Sequence, residues 1–148
     1  MYLLVIEDDY LQANWIQESL QTAFPTARIQ RIGTESDFRS HLDEIAKHRP
    51  TVIIMDVMLR WTDPSPDMTP PPEDVREGKF YRAGVRCKEL LAERDETKDI
   101  PVILYTVLEA SDLHKELQDS SATIVHVPKE SDPWPLVEKI KDFSGRRP

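Results

Sequence analysis

The chain has 148 residues, 39% hydrophobic and 31% charged, which is enough for one domain with one sizeable core and too few for two. Its 27 acids against 19 bases leave a net charge of −8, which argues against direct nucleic-acid binding through a basic face. The apolar runs fall far short of the ~20 residues a membrane span needs. The single cysteine, Cys87, rules out an internal disulfide and a cysteine-built zinc cluster. Met1 leads directly into an apolar run and then acids, without the basic segment and cleavage site of a signal peptide, so a cytoplasmic location is expected.

In chain order, Tyr2 to Ile6 is an apolar run that ends at Glu7-Asp8-Asp9. Leu11, Trp15, Ile16, Leu20, Ala23 and Phe24 recur at helical spacing until Pro25, with Asp9 expected as a first-turn or cap acid. Ala27 to Ile32 is a weaker strand. Thr34 is expected to cap a helix whose buried stripe is Phe38, Leu42, Ile45 and Ala46. Val52 to Met55 is a wholly apolar run closed by Asp56. The segment from Arg60 to Lys79 then carries Pro64, Pro66, Pro70, Pro71 and Pro72 with several acids, and no helical or strand period is visible before Phe80. Tyr81 to Arg94 reads as a helix with Val85, Leu90 and Leu91 on its apolar face. Val102 to Tyr105 is a run closed by Thr106, and Ile124 to Val127 is another, followed by Pro128-Lys129. A last helix is expected from Asp132-Pro133, carrying Leu136, Val137, Ile140 and Phe143.

Continuous apolar strands alternating with helices imply a doubly wound α/β fold with a five-stranded parallel sheet covered on both faces. The ligand site of such a sheet lies outside the carboxyl ends of its strands. With strand order 2-1-3-4-5, Glu7, Asp8 and Asp56 converge in one pocket. Three carboxylates together repel one another, and a hard divalent cation, Mg²⁺, resolves that. A lysine, Lys129, and a hydroxyl, Thr106, facing the same pocket suit a phosphoryl group.

The ordered set Leu3-Leu4-Val5-Ile6-Glu7-Asp8-Asp9, Val52 to Leu59, Pro101 to Thr106 and Val127-Pro128-Lys129 resembles the receiver domain of two-component response regulators. The likeness runs from Tyr2 to Phe143 apart from the insert, read as residues 60–80 within a single domain of 1–148. It implies a flavodoxin-like receiver fold with Asp56 as phosphoacceptor, supplied by a sensor histidine kinase or a histidine phosphotransfer protein. By the same resemblance Asp8, Asp56 and the Met58 carbonyl would ligate Mg²⁺, with Glu7 acting through water. Thr106 and Lys129 would bind phosphoryl oxygens. Such a chain catalyses its own phosphorylation and dephosphorylation rather than acting as a classical enzyme, and signals by changing its contacts with a downstream protein. No output domain follows the last predicted helix, so the chain is expected to stand alone or to belong to something longer.

The sequence departs from the family's pattern at several positions. Arg60 stands where proline is usual, and about 20 extra residues follow it. Val107 replaces a small residue after Thr106, Glu130 rather than proline follows Lys129, and His126 holds the aromatic switch position. His126 is expected to pack rather than switch, and Cys87 to be inert. Trp15 is expected in the core; Trp134 is expected in the core or facing a partner, and Trp61 docks the insert or meets a partner. The competing function is a receiver-like interaction module that works without phosphate. A phosphatase with an aspartyl intermediate is disfavoured, because its Asp-x-Asp would follow the first strand and no second acid lies two residues beyond Asp56.

Overall fold

The computed structural model describes residues 1–68, 70–78, 80–113, 115 and 123–145. The sheet is built from β1 (Tyr2–Ile6), β2 (Arg28–Ile32), β3 (Val52–Met55), β4 (Val102–Thr106) and β5 (Ile124–Pro128), in the expected order β2-β1-β3-β4-β5. Every pairing is parallel. The central strands are apolar along their whole length because both faces are covered. Leu4, Ile6, Ile53, Met55, Val102 and Leu104 form one core, and Leu3, Val5, Val52, Ile54, Ile103 and Tyr105 the other, as the two-residue period of a strand requires.

The second core is closed by α1 (Tyr10–Ala23) and α6 (Trp134–Ser144). Asp9 caps α1, its carboxylate accepting the Gln12 N–H at 2.9 Å. Ala13, Ile16 and Leu20 are the buried stripe, whereas Leu11 is exposed and Trp15 is only half-buried at its edge. The α6 helix starts where Asp132 accepts the Trp134 N–H at 2.9 Å, and Trp134 itself is exposed.

The first core is closed by α2 (Glu35–Ser40), α3 (Leu42–Lys47) and α5 (Ala83–Ala92). Thr34 caps α2 as expected, through the Asp37 N–H. The single helix expected after Thr34 is two, divided at His41. There the Ser40 hydroxyl and the His41 ring both bond back to the Asp37 carbonyl, and such local bonds compete with the helix ladder. The expected helix from Tyr81 to Arg94 is a 3₁₀ turn (Phe80–Arg82) leading into α5, which ends at Ala92.

The insert also differs from expectation, because it contains a short helix, α4 (Glu73–Gly78). Pro72 offers its carbonyl to the Val75 and Arg76 N–H groups, and Glu73 and Asp74 occupy the first turn, where acids are favourable. Only Val75 of this helix is buried, so its sequence shows no apolar period. The described part of the β4–β5 connection contains a 3₁₀ turn (Ala110–Leu113); the helix expected there otherwise lies outside the described residues. Among the described residues no helix is long and apolar enough to cross a membrane.

Candidate functional site

Register brings the acids together. Ile6 pairs with Met55 at the ends of β1 and β3, so Glu7 and Asp56 leave the sheet side by side. The Asp56 N–H donates to the Ile6 carbonyl at 3.0 Å, which fixes that step. Thr106 pairs with Pro128 at the ends of β4 and β5, and the Lys129 N–H donates to the Thr106 carbonyl at 2.9 Å. All of these residues lie at the carboxyl edge, where the topology opens a crevice. A cleft of about 610 Å³ there is lined by Glu7, Asp8, Asp56, Met58, Val107 and Lys129 among others.

The Lys129 ammonium sits between two carboxylates. It bonds Asp56 Oδ2 at 2.7 Å and forms a short contact with Glu7 Oε2. Glu7 and Asp56 are only 2% and 7% exposed, so this pairing is what makes their burial tolerable. Burial pushes the Glu7 carboxyl up to about 7; the Lys129 ammonium opposes this and the Asp56 charge adds to it. Burial alone would lower the pKa of Lys129, but Asp56 and Glu7 outweigh it and hold the ammonium above its usual value.

Asp8 is held from another side. Its Oδ2 accepts the backbone N–H of Arg60 at 3.0 Å and the Arg60 Nε at 3.4 Å. Arg31 anchors the same turn from β2, donating to the Glu7 and Asp8 carbonyls at 3.0 and 3.3 Å. Met58 donates its N–H to Asp56 Oδ1 at 3.3 Å. Among the described residues no three acids are gathered closely enough to hold a metal ion as they stand. Lys129 and Arg60 occupy their oxygens instead.

Thr106 is fully buried, and its hydroxyl accepts the Leu108 N–H at 3.3 Å, so it is engaged with its own loop. Val107 projects into solvent at the cleft mouth. His126 is half-buried, and its Nε2 lies 3.0 Å from the Leu108 carbonyl, which ties β5 to the same loop. Cys87 is buried on α5, and burial pushes its thiol pKa up.

Two features were missed by reading the sequence. Gly84 packs directly on the backbone after β3, its N–H donating to the Val57 carbonyl at 2.9 Å. Arg39 joins the insert to the domain, reaching Glu35 Oε2 at 3.0 Å and Asp74 Oδ2 at 2.8 Å, with its guanidinium 5.5 Å from the centre of the Trp61 ring. A glycine at a helix start and an arginine among acids were the available signals, and neither identifies its partner.

The arrangement matches solved receiver domains over nearly its whole length. The receiver domain of a DNA-binding response regulator from Colwellia psychrerythraea superposes with a TM-score of 0.69 at 20% identity, covering 99% of each chain. The chain has the receiver-domain fold. The receiver domain of a histidine kinase from Syntrophus aciditrophicus gives 0.68 at 20% identity, over 99% of this chain and 93% of that one. A Francisella response-regulator receiver domain gives 0.68 at 15%, over 98% and 97%. No protein-family model and no curated protein matches the sequence.

Proposed function

We propose that this receiver-fold chain accepts a phosphoryl group on Asp56 from a sensor histidine kinase or a histidine phosphotransfer protein, and signals through altered contacts with a downstream protein. The observation that carries the reading is the Lys129 ammonium seated on Glu7 and Asp56 at the shared end of β1 and β3. In the transfer, an Asp56 oxygen bonds to phosphorus as the bond from phosphorus to the donor's imidazole nitrogen breaks, and the imidazole leaves with the electron pair. Little other covalent chemistry is needed, so positioning and charge neutralisation dominate. Lys129 would transfer one of its bonds from Asp56 to a phosphoryl oxygen. Thr106 would exchange its bond to the Leu108 N–H for another phosphoryl oxygen, freeing the loop that His126 also holds.

Mg²⁺ fits the chemistry of the donor set, since Asp8, Asp56 and the Met58 carbonyl are hard oxygen ligands on one cleft, with Glu7 placed to act through water. When bound it supplies the positive charge that lets two anions meet. Asp8 would yield an oxygen now also held by the Arg60 guanidinium, and Asp56 one now held by Lys129.

The test is beryllofluoride titration with Mg²⁺, followed by tryptophan fluorescence, together with acetyl-phosphate labelling read by intact mass. Saturable, Mg²⁺-dependent signals that vanish in Asp56→Asn support the reading. One observation favours the second reading, a phosphate-independent interaction module: the carboxylates are already matched by Lys129 and Arg60. Absence of both signals selects it.

A further inference from the structure

We propose that Arg60 is a resident competitor for the divalent cation and sets how tightly Asp8 takes it. This rests on the metal reading above. The backbone of Arg60 is clamped, because its carbonyl receives the Glu35 N–H at 3.0 Å and the next carbonyl, of Trp61, receives the Ser36 N–H at 2.8 Å. The first two N–H groups of α2 therefore hold the base of the insert, and the Arg60 N–H is aimed at Asp8 as a fixed donor. A proline at this position would have no N–H to give. The guanidinium adds a full charge on the same carboxylate oxygen.

Of the two cations bonded to the cleft's carboxylates among the described residues, Arg60 is the one that can leave. Its side chain is 47% exposed, against 10% for Lys129. An alternative seat is at hand, since Nη1 lies 3.7 Å from the exposed Asp63 carboxylate. A divalent ion arriving at Asp8 meets this positive charge within a few ångströms and is repelled by it. Ion entry and departure of the guanidinium toward Asp63 are then one exchange. The backbone N–H stays behind and keeps Asp8 oriented.

The experiment is Mn²⁺ binding by isothermal titration calorimetry at low ionic strength on the whole chain. It compares wild type, Arg60→Ala, Arg60→Gln, Arg60→Lys and Asp8→Asn, with circular dichroism and melting used to check that each is folded. Both neutral variants are expected to bind Mn²⁺ about threefold to tenfold more tightly than wild type. Arg60→Lys, which keeps the charge, falls between wild type and the neutral variants, and the gain disappears when Asp8→Asn is added. If Arg60→Ala and Arg60→Gln bind no more tightly while Asp8→Asn abolishes binding, the inference is overturned and the metal reading stands. A gain that survives Asp8→Asn also overturns it. If no variant binds Mn²⁺ through Asp8, both the metal reading and this inference fall.

Discussion

A Cβ placed on Gly84 would lie 2.3 Å from the carbonyl oxygen of Asp56 and 2.7 Å from the Cα of Val57. The first turn of α5 therefore rests on the backbone that carries the proposed phosphoacceptor, and no larger residue fits between them. Both atoms in the way are main chain, so relief requires α5 or the end of β3 to shift. Gly84→Ala is expected to lower stability by about 2–4 kcal/mol in urea denaturation. It is also expected to reduce acetyl-phosphate labelling of Asp56, because the carboxylate moves relative to Lys129. Gly145→Ala is the control: its nearest contact would be 3.4 Å, and it should change stability by under ~1 kcal/mol.

Lys129 is the only bonded cation shared by the two buried carboxylates among the described residues. Lys129→Met leaves Glu7 and Asp56 facing each other without compensation. Breaking such a pair from one side costs about 3 kcal/mol at neutral pH. Without Lys129 the Glu7 carboxyl, its pKa already pushed up by burial, must take up a proton or stay charged beside Asp56. Adding Glu7→Gln removes that need, so the double variant is expected to recover stability relative to Lys129→Met. Denaturation of the four proteins as a double-mutant cycle checks this. Strictly additive effects would show that Glu7 and Lys129 do not act as a pair.

Much of this arrangement was legible in the sequence, for a physical reason. Runs such as Val52 to Met55 are apolar on both faces only when helices cover both, and Asp56 ends its run because the polar edge of the sheet begins there. Asp9 and Thr34 were legible because capping is local. What escaped was contact between distant segments. Nothing around Arg60 indicates that its N–H meets Asp8, nor around Gly84 that it abuts Asp56. The α4 helix escaped because one buried residue, Val75, has no period. Leu11 shares the helical spacing of the apolar residues of α1 yet is exposed, because an apolar residue at that spacing looks the same whether its face is covered or not.

The insert is tied to the domain through a buried acid. Glu35 is fully buried and takes two bonds from Arg86, at 2.9 and 2.6 Å, and one from Arg39 at 3.0 Å. Glu35→Gln removes the charge that both arginines face and is expected to cost about 3 kcal/mol. Far less depends on the outer link. Asp74 is more than half exposed, so Asp74→Asn should cost under ~1 kcal/mol. The guanidinium of Arg39 holds the Asp74 carboxyl below its usual pKa. That contribution is therefore complete above the ordinary aspartate range, near pH 4, and is lost as pH falls through the lowered value. Melting temperatures of wild type and Asp74→Asn are expected to differ slightly at pH 7 and to converge as the pH falls below the ordinary aspartate range. Faster proteolysis within 63–72 in Asp74→Asn would accompany the difference at neutral pH.

Cys87 offers a check on how well the first core is closed. The thiol is fully buried on α5, against the face that holds Met55 and Val57, and burial raises its pKa so that the thiolate is not formed at neutral pH. Reactivity needs both thiolate and access, and Cys87 has neither. The native protein is expected to leave dithionitrobenzoate unreacted over hours at pH 8, while in urea the single cysteine reacts at once. Where α5 is the element that yields in Gly84→Ala, it moves from β3 three residues before Cys87, and that thiol should react measurably faster under native conditions. Unchanged protection in Gly84→Ala would mean that β3 rather than α5 yields to the extra methyl, and the loss of labelling at Asp56 should then be the larger of its two effects.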